Sequence, residues 1–161
     1  MIEIIKNNIN VDYENIVTRV KAVIINSKNE LLLGYSYYEY QFPGGHVEGG
    51  EDLNFALKRE LKEETGLDYD TTYLVPFCVL KKYVEDTNTL IQIYYYKIND
   101  DRIPNLKNTN YTEEEKDGNY KLRYIPLSIV KDVLKDNKVI NGDLEGITDE
   151  MLDVLNLELT V

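Results

Sequence analysis

Residues 51–65 run without Pro or Gly between the approach Pro43-Gly44-Gly45-His46-Val47-Glu48-Gly49-Gly50 and Gly66. The stretch predicts a helix from Glu51 to Thr65. Acidic residues in its first turn suit the positive end of the helix dipole, and Gly66 suits the left-handed residue that closes a helix. Within it, Glu60, Glu63 and Glu64 lie three and four positions apart, so their carboxylates share an arc of about 100°. Ionised carboxylates held this close repel one another unless a cation or basic group offsets them, so the helix is expected to hold a hard divalent ion. Mg²⁺ takes oxygen ligands, keeps several waters and is typically shared between one or two carboxylates and substrate phosphates. A diphosphate beside the helix follows. The glycines ahead of it let a backbone carbonyl or amide approach an ion or phosphate closely, although taken alone such loops are mostly just turns.

The flanking sequence supplies strands. From Val17 to Ile25 apolar and polar residues partly alternate, Asn26 to Asn29 reads as a turn, and Leu31 to Leu33 completes a hairpin. Strands are also expected over Tyr73 to Val84, Leu90 to Ile98 and Tyr120 to Ile125, the last broken by Pro126. In the second of these, Tyr94 and Tyr96 would share a face, where packing on a pleated surface outweighs gripping a base. Residues Asn99 to Gly118 read as a long polar loop, of the kind that is either functional or disordered. Ser128 is a candidate cap for a helix bearing Ile129, Val130, Val133 and Leu134, and a last helix is expected over Asp149 to Leu157. Without regular alternation of strand and helix, these elements point to an α+β architecture, a mixed sheet with helices on its faces.

The 161 residues suit one domain spanning 1–161. A net charge of −11 opposes a polymeric polyphosphate, so polymeric nucleic acid is not an expected partner. No apolar run approaches the roughly 18 residues needed to cross a bilayer, and the N-terminus lacks a signal pattern, so neither membrane nor secretion is expected. The single cysteine, Cys78, lies in an apolar strand pattern and excludes an intrachain disulfide, which fits a cytoplasmic location.

At every defined position Gly45 to Leu67 resembles the Nudix box: Gly, five residues, Glu51, seven residues, then Arg59-Glu60-Leu61-Lys62-Glu63-Glu64-Thr65-Gly66-Leu67. Tyr40-Gln-Phe-Pro-Gly-Gly is similar to the family's approach to the box. The resemblance implies an α/β/α sandwich of Nudix type with a loop-helix-loop catalytic element. It also implies Mg²⁺-dependent hydrolysis, with Mn²⁺ as the alternative ion, of a nucleoside diphosphate linked to another group. Roles carry over by position. Glu63, Glu64 and the Gly44 carbonyl match metal ligands, Glu60 a ligand or base, and Glu51 with Arg59 a supporting pair. Gly45, Tyr40 and Arg19 match the substrate side.

Arg19 and Lys21 face the same way on the first strand, where a phosphate contact and plain solvation are evenly balanced. His46, the only histidine, reads as a locally bonded loop residue rather than an acid. Glu113, Glu114 and Glu115 fall where relatives send a further carboxylate to the site, and Glu114 is the candidate carried forward as ligand or base. The expected partner is a small nucleotide-like diphosphate, with a homodimer left open. The alternatives are a nucleotide-binding sensor without activity, which commonly lacks box glutamates, and an isomerase of isoprenyl diphosphates, which would ask for a catalytic cysteine.

Overall fold

The computed structural model describes the backbone of residues 1–160 and the side chains of residues 1–157. Eight strands make one mixed sheet: β1 (Ile2–Ile5), β2 (Asn15–Ile25), β3 (Glu30–Ser36), β4 (Glu39–Gln41), β5 (Gly44–His46), β6 (Cys78–Val84), β7 (Thr89–Asn99) and β8 (Lys121–Pro126). The main order is β1-β6-β7-β2-β3-β4, with β5 on β2 and β8 on β3. Four helices accompany them: α1 (Leu53–Thr65), α2 (Glu113–Asp117), α3 (Val130–Asn141) and α4 (Ile147–Thr160).

β2 is the spine, and alternation along it separates two cores. Val20, Ala22 and Ile24 face α1 and pack with Leu32, Tyr96, Ala56, Leu57 and Leu61. Val23 and Ile25 face the other way, toward Leu33, Leu80, Ile93 and Tyr95, under Val130 and Leu134 of α3 and Met151, Val154 and Leu155 of α4. Helices on both faces of a mixed sheet make the expected sandwich. Each fully buried leucine contributes about 2 kcal/mol by burial, so truncating Leu57 or Leu61 to Ala would cost about 2–5 kcal/mol and free α1 from the sheet.

The register of β2 also sets the site. β2 runs parallel to β7 along its whole length. On its other side it first takes β5 antiparallel, pairing Arg19 with His46 and Lys21 with Gly44, and reaches β3 only at Ile25 opposite Leu31. The expected hairpin is therefore confined to its turn, because β5 occupies the place that β3 would otherwise fill. β3 pairs instead with β8 from Glu30 to Tyr35. After β5 the segment from Val47 to Asp52 leads into α1.

Several expected boundaries move for local reasons. Helix α1 begins at Leu53, not Glu51, because Asp52 is its cap and accepts the Phe55 amide at 2.8 Å. Its first turn consequently holds no acidic residue. Gly66 closes it with φ +72° and donates to the Lys62 carbonyl at 2.9 Å. The strand expected from Tyr73 starts at Cys78, since residues 71–74 form a turn and Pro76 lacks an amide donor. The polar stretch 99–118 is not all loop: Glu113–Asp117 form α2, closed by a capping box between Thr112 and Glu115. Ser128 caps nothing; the residue before α3 is Ile129, without a side-chain cap. The last helix starts two residues earlier than Asp149, at Ile147. Tyr94 and Tyr96 share the α1 core, and Tyr96 donates its hydroxyl to Asn54 at 2.8 Å, so these tyrosines pack as expected.

Candidate active site

Three turns of α1 beside β5 carry the charged groups. Leu57 and Leu61 bury one side of the helix, which turns Glu60, Glu63 and Glu64 toward β5 and the cleft. Arg59 is the hub. Its Nε and Nη2 donate to the two oxygens of Glu51 at 2.7 and 2.9 Å. Nη1 reaches Glu60 at 2.9 Å and Glu63 at 3.4 Å, and Nη2 also donates to the His46 carbonyl at 3.0 Å. One planar guanidinium thus joins the loop, the helix and two carboxylates that repel each other. These bonds hold the Glu51 carboxyl below its ordinary range.

Glu64 is buried, unlike Glu63, and accepts the Gly44 amide at 2.9 Å and the Tyr120 hydroxyl at 3.3 Å. Burial pushes its carboxyl well above the usual range, opposed mainly by the charge of Lys21. Burial likewise lowers Lys21, whose ammonium donates to the carbonyls of Phe42 and Gly44, both at 3.2 Å. Glu60 is also raised by burial, against the pull of Arg59. Gly44, with φ +136°, brings its peptide against Val20 and Lys21 where a side chain would collide with the β2 backbone.

These groups line one wall of a cleft of about 620 Å³. Arg19, Lys21 and His46 reach it from β2 and β5, Glu114 and Glu115 from α2, Glu39 from β4, and Glu145 and Glu150 from around the start of α4. Phe42, Ile93, Tyr95 and Met151 supply apolar surface. Arg19 Nε donates to His46 Nε2 at 3.3 Å, and burial followed by the charges of Arg19 and Lys21 disfavours protonation of that ring.

The donor set is suited to a hard divalent ion. Glu60, Glu63, Glu64 and the Gly44 carbonyl offer oxygen only, and the buried Glu64 carboxylate is a group whose ionised form needs a cationic neighbour. Among the described residues no three acidic, His or Cys side chains close into a ready-made cage. An ion here would complete its shell with backbone carbonyl, water and phosphate oxygens, which is the habit of Mg²⁺.

The NUDIX domain model matches residues 16–140, most of the chain. The chain belongs to the Nudix family. Solved Nudix structures share the fold. A hydrolase from Nitrosomonas europaea aligns at TM-score 0.53 and 18% identity over 71% of this chain and 75% of its own. A MutT protein from Methanosarcina mazei aligns at 0.51 and 20% over 73% and 81%. An RNA pyrophosphohydrolase of Caulobacter vibrioides is 60% identical over 30 residues, 19% of this chain and 17% of that protein, so the match spans under one fifth of the relative's length.

Of the residues expected from the Nudix resemblance, the fold brings Gly44, Gly45, Glu60, Glu63, Glu64, Arg59, Arg19 and Glu114 to one cleft, with Glu51 behind Arg59. Tyr40 is not among them. It is buried in the α3/α4 core, its ring 4.7 Å from that of Tyr35 and its hydroxyl accepting from Arg123 at 3.2 Å. β4 alternation turns its neighbours Glu39 and Gln41 to the cleft instead. Glu113 lies outside the cleft, and Glu115 is held by its capping bond to the Thr112 amide at 2.8 Å. His46 bonds across strands to Arg19 rather than within its loop. Sequence reasoning missed Tyr120, Glu39, Glu145 and Glu150. Their place depends on pairings distant in sequence, and no local pattern marks them.

Proposed function

We propose that this Nudix protein is a hydrolase dependent on Mg²⁺, with Mn²⁺ able to substitute, that cleaves the diphosphate linkage of a nucleoside diphosphate joined to a further group. The observation that carries this reading is the convergence of Glu60, Glu63, Glu64 and the Gly44 carbonyl on one wall of a cleft wide enough for a small nucleotide. Those four groups would hold the divalent ion, which when bound lowers the pKa of a water and offsets charge on the phosphoryl oxygens. Arg59 keeps Glu60 and Glu63 side by side against their repulsion and ties them through Glu51 to the preceding loop. Arg19, which lacks a carboxylate partner among the described residues, faces the cleft and would meet substrate phosphate. Glu114, exposed on α2 and lining the cleft, would accept a proton or add a ligand, and Glu60 is the other candidate base.

The complete set of box glutamates favours hydrolysis over a sensor that binds without cleaving. Cys78 is fully buried in β6 and does not line the cleft, so an isomerase would lack its catalytic cysteine there. The substrate class proposed is small: nucleoside triphosphates, nucleotide sugars or dinucleoside polyphosphates, in keeping with the acidic surface. No helix among the described residues is long and apolar enough to cross a membrane. A cytoplasmic location is proposed from the lone buried thiol. The test is an assay of such a substrate panel with Mg²⁺ or Mn²⁺ and identification of the products. Metal-dependent release of a nucleotide and a second phosphorylated product supports the reading; tight binding of a nucleotide with no turnover favours the sensor.

A further inference from the structure

The turn between β3 and β4 carries Tyr37 and Tyr38, and both adopt left-handed backbone angles, with φ +50° and +62°. A two-residue hairpin turn of this kind ordinarily takes Asn or Gly, and bulky residues there store strain that the surrounding structure must offset. What Tyr37 gains is a set of bonds to α2. Its single hydroxyl proton is shared in a bifurcated donation between the Asp117 carboxylate at 2.8 Å and the Glu114 carbonyl at 3.1 Å, and its amide points to the Gly118 carbonyl at 3.4 Å. Gly118 makes the approach possible: a Cβ there would stand 2.1 Å from Ser36 Oγ and 2.5 Å from the Tyr37 ring. Tyr38, its equally strained neighbour, makes no side-chain bond to α2 and is largely exposed.

Helix α2 has five residues and no buried side chain, too little to fix its own position by packing. It nonetheless bears Glu114 on the cleft wall. We propose that Tyr37 is a positioning residue: its hydroxyl clasps α2 at both Glu114 and Asp117 and thereby sets the Glu114 carboxylate in the cleft. The inference rests on the reading of Glu114 as a working carboxylate, and it assigns to the β3–β4 turn a role in turnover that the box does not contain.

The experiment is a double-mutant cycle on the full chain, with the hydrolysis of a nucleoside triphosphate in Mg²⁺ as readout and thermal melting as the check on folding. Tyr37→Phe removes the hydroxyl and keeps the ring. Expected is a fall in kcat of about tenfold with KM changed less than about threefold, the scale of a hydrogen bond to a charged group. In the Glu114→Gln background the same change should have no further effect. Gly118→Ala, which wedges the turn away from α2 without backbone strain, should reproduce the loss, and Tyr38→Phe should leave the rate unchanged. Wild-type turnover in Tyr37→Phe alongside a slowed Glu114→Gln would overturn the clasp while leaving the role of Glu114 intact. Equal slowing by Tyr37→Phe in both backgrounds would also overturn it, since the hydroxyl would then act on something else. A Glu114→Gln enzyme at full rate would remove the premise, and with it the proposal, without touching the assignment of the box.

Discussion

Gly45 lies against the carboxylate of Glu60 so closely that a Cβ at position 45 would stand 2.7 Å from its carbon and from both oxygens. The backbone of Gly45 is not in the left-handed region, so Ala there carries no conformational strain and acts only by displacing Glu60. Gly45→Ala is expected to cut kcat by at least about tenfold while lowering stability by less than about 1 kcal/mol, since a side chain in a cleft can give way. Steady-state kinetics with a melting curve check this. An unchanged rate would mean that the position of Glu60 does not matter to turnover.

Arg59 makes charge-assisted bonds to three glutamates and one carbonyl from a partly buried position. Arg59→Ala should therefore destabilise the fold by about 2 kcal/mol and reduce turnover much further, through carboxylates that no longer hold their spacing. Arg59→Lys is expected to recover stability in part and activity poorly, because an ammonium cannot reproduce the two-point grip on Glu51. Wild-type metal affinity and rate in the alanine variant would remove its supporting role.

The Glu51 carboxyl is held below its ordinary range by Arg59, and a lowered carboxylate stabilises the fold above its unfolded pKa, about 4.3. That contribution is complete at neutral pH and is lost as pH falls through the native value. The melting temperature of Glu51→Gln should therefore lie below that of the wild type at about pH 7, and the gap should close in acid as the wild-type Glu51 carboxyl is protonated and becomes uncharged like the amide that replaces it. Melting curves from about pH 7 down to about pH 3 test it; a gap of constant size would assign the loss to packing instead of charge.

The three glutamates at the start of α2 should separate cleanly. Glu114→Gln is expected to lower kcat by at least about tenfold with stability unchanged, because this side chain lines the cleft and, unlike that of Glu115, is not held in the capping box. Glu113→Gln should be neutral, since Glu113 points away from the cleft toward Lys116. Glu115→Gln should be nearly so, because Gln also closes a capping box. Full activity in all three, over a range of metal concentrations, would leave Glu60 as the leading base.

How much of this was legible depends on the distance over which each feature is determined. The helix expected over Glu51 to Thr65, its glycine stop and the convergence of Glu60, Glu63 and Glu64 follow from spacing within four residues, and the structure holds them except that the helix starts at Leu53. The pairing of Arg59 with Glu51 spans the cap and the first turns of α1 and is implied by the Nudix resemblance. What could not be read is set by long-range register. The insertion of β5 beside β2 places Lys21 under Gly44, and the pairing of β3 with β8 brings Tyr120 to Glu64. The error at Tyr40 has the same origin: alternation on a three-residue strand depends on which face meets the core, and that is decided by α3 and α4. The burial of Glu64 was likewise hidden, since a Glu on an amphipathic helix ordinarily reads as exposed.

The central claim is that the carboxylates of α1 hold the ion on which hydrolysis depends, and Glu63 tests it most directly. It is more exposed than Glu64, and among the described residues Arg59 is its only side-chain partner, so Glu63→Gln removes a charged oxygen with little disturbance elsewhere. The measurement is calorimetric titration of the variant with Mg²⁺ and with Mn²⁺, beside turnover of the best substrate from the panel. The account predicts a melting temperature close to the wild type, metal affinity weakened by about tenfold and kcat lower by about 100-fold or more. Wild-type metal affinity with wild-type turnover in Glu63→Gln would contradict it.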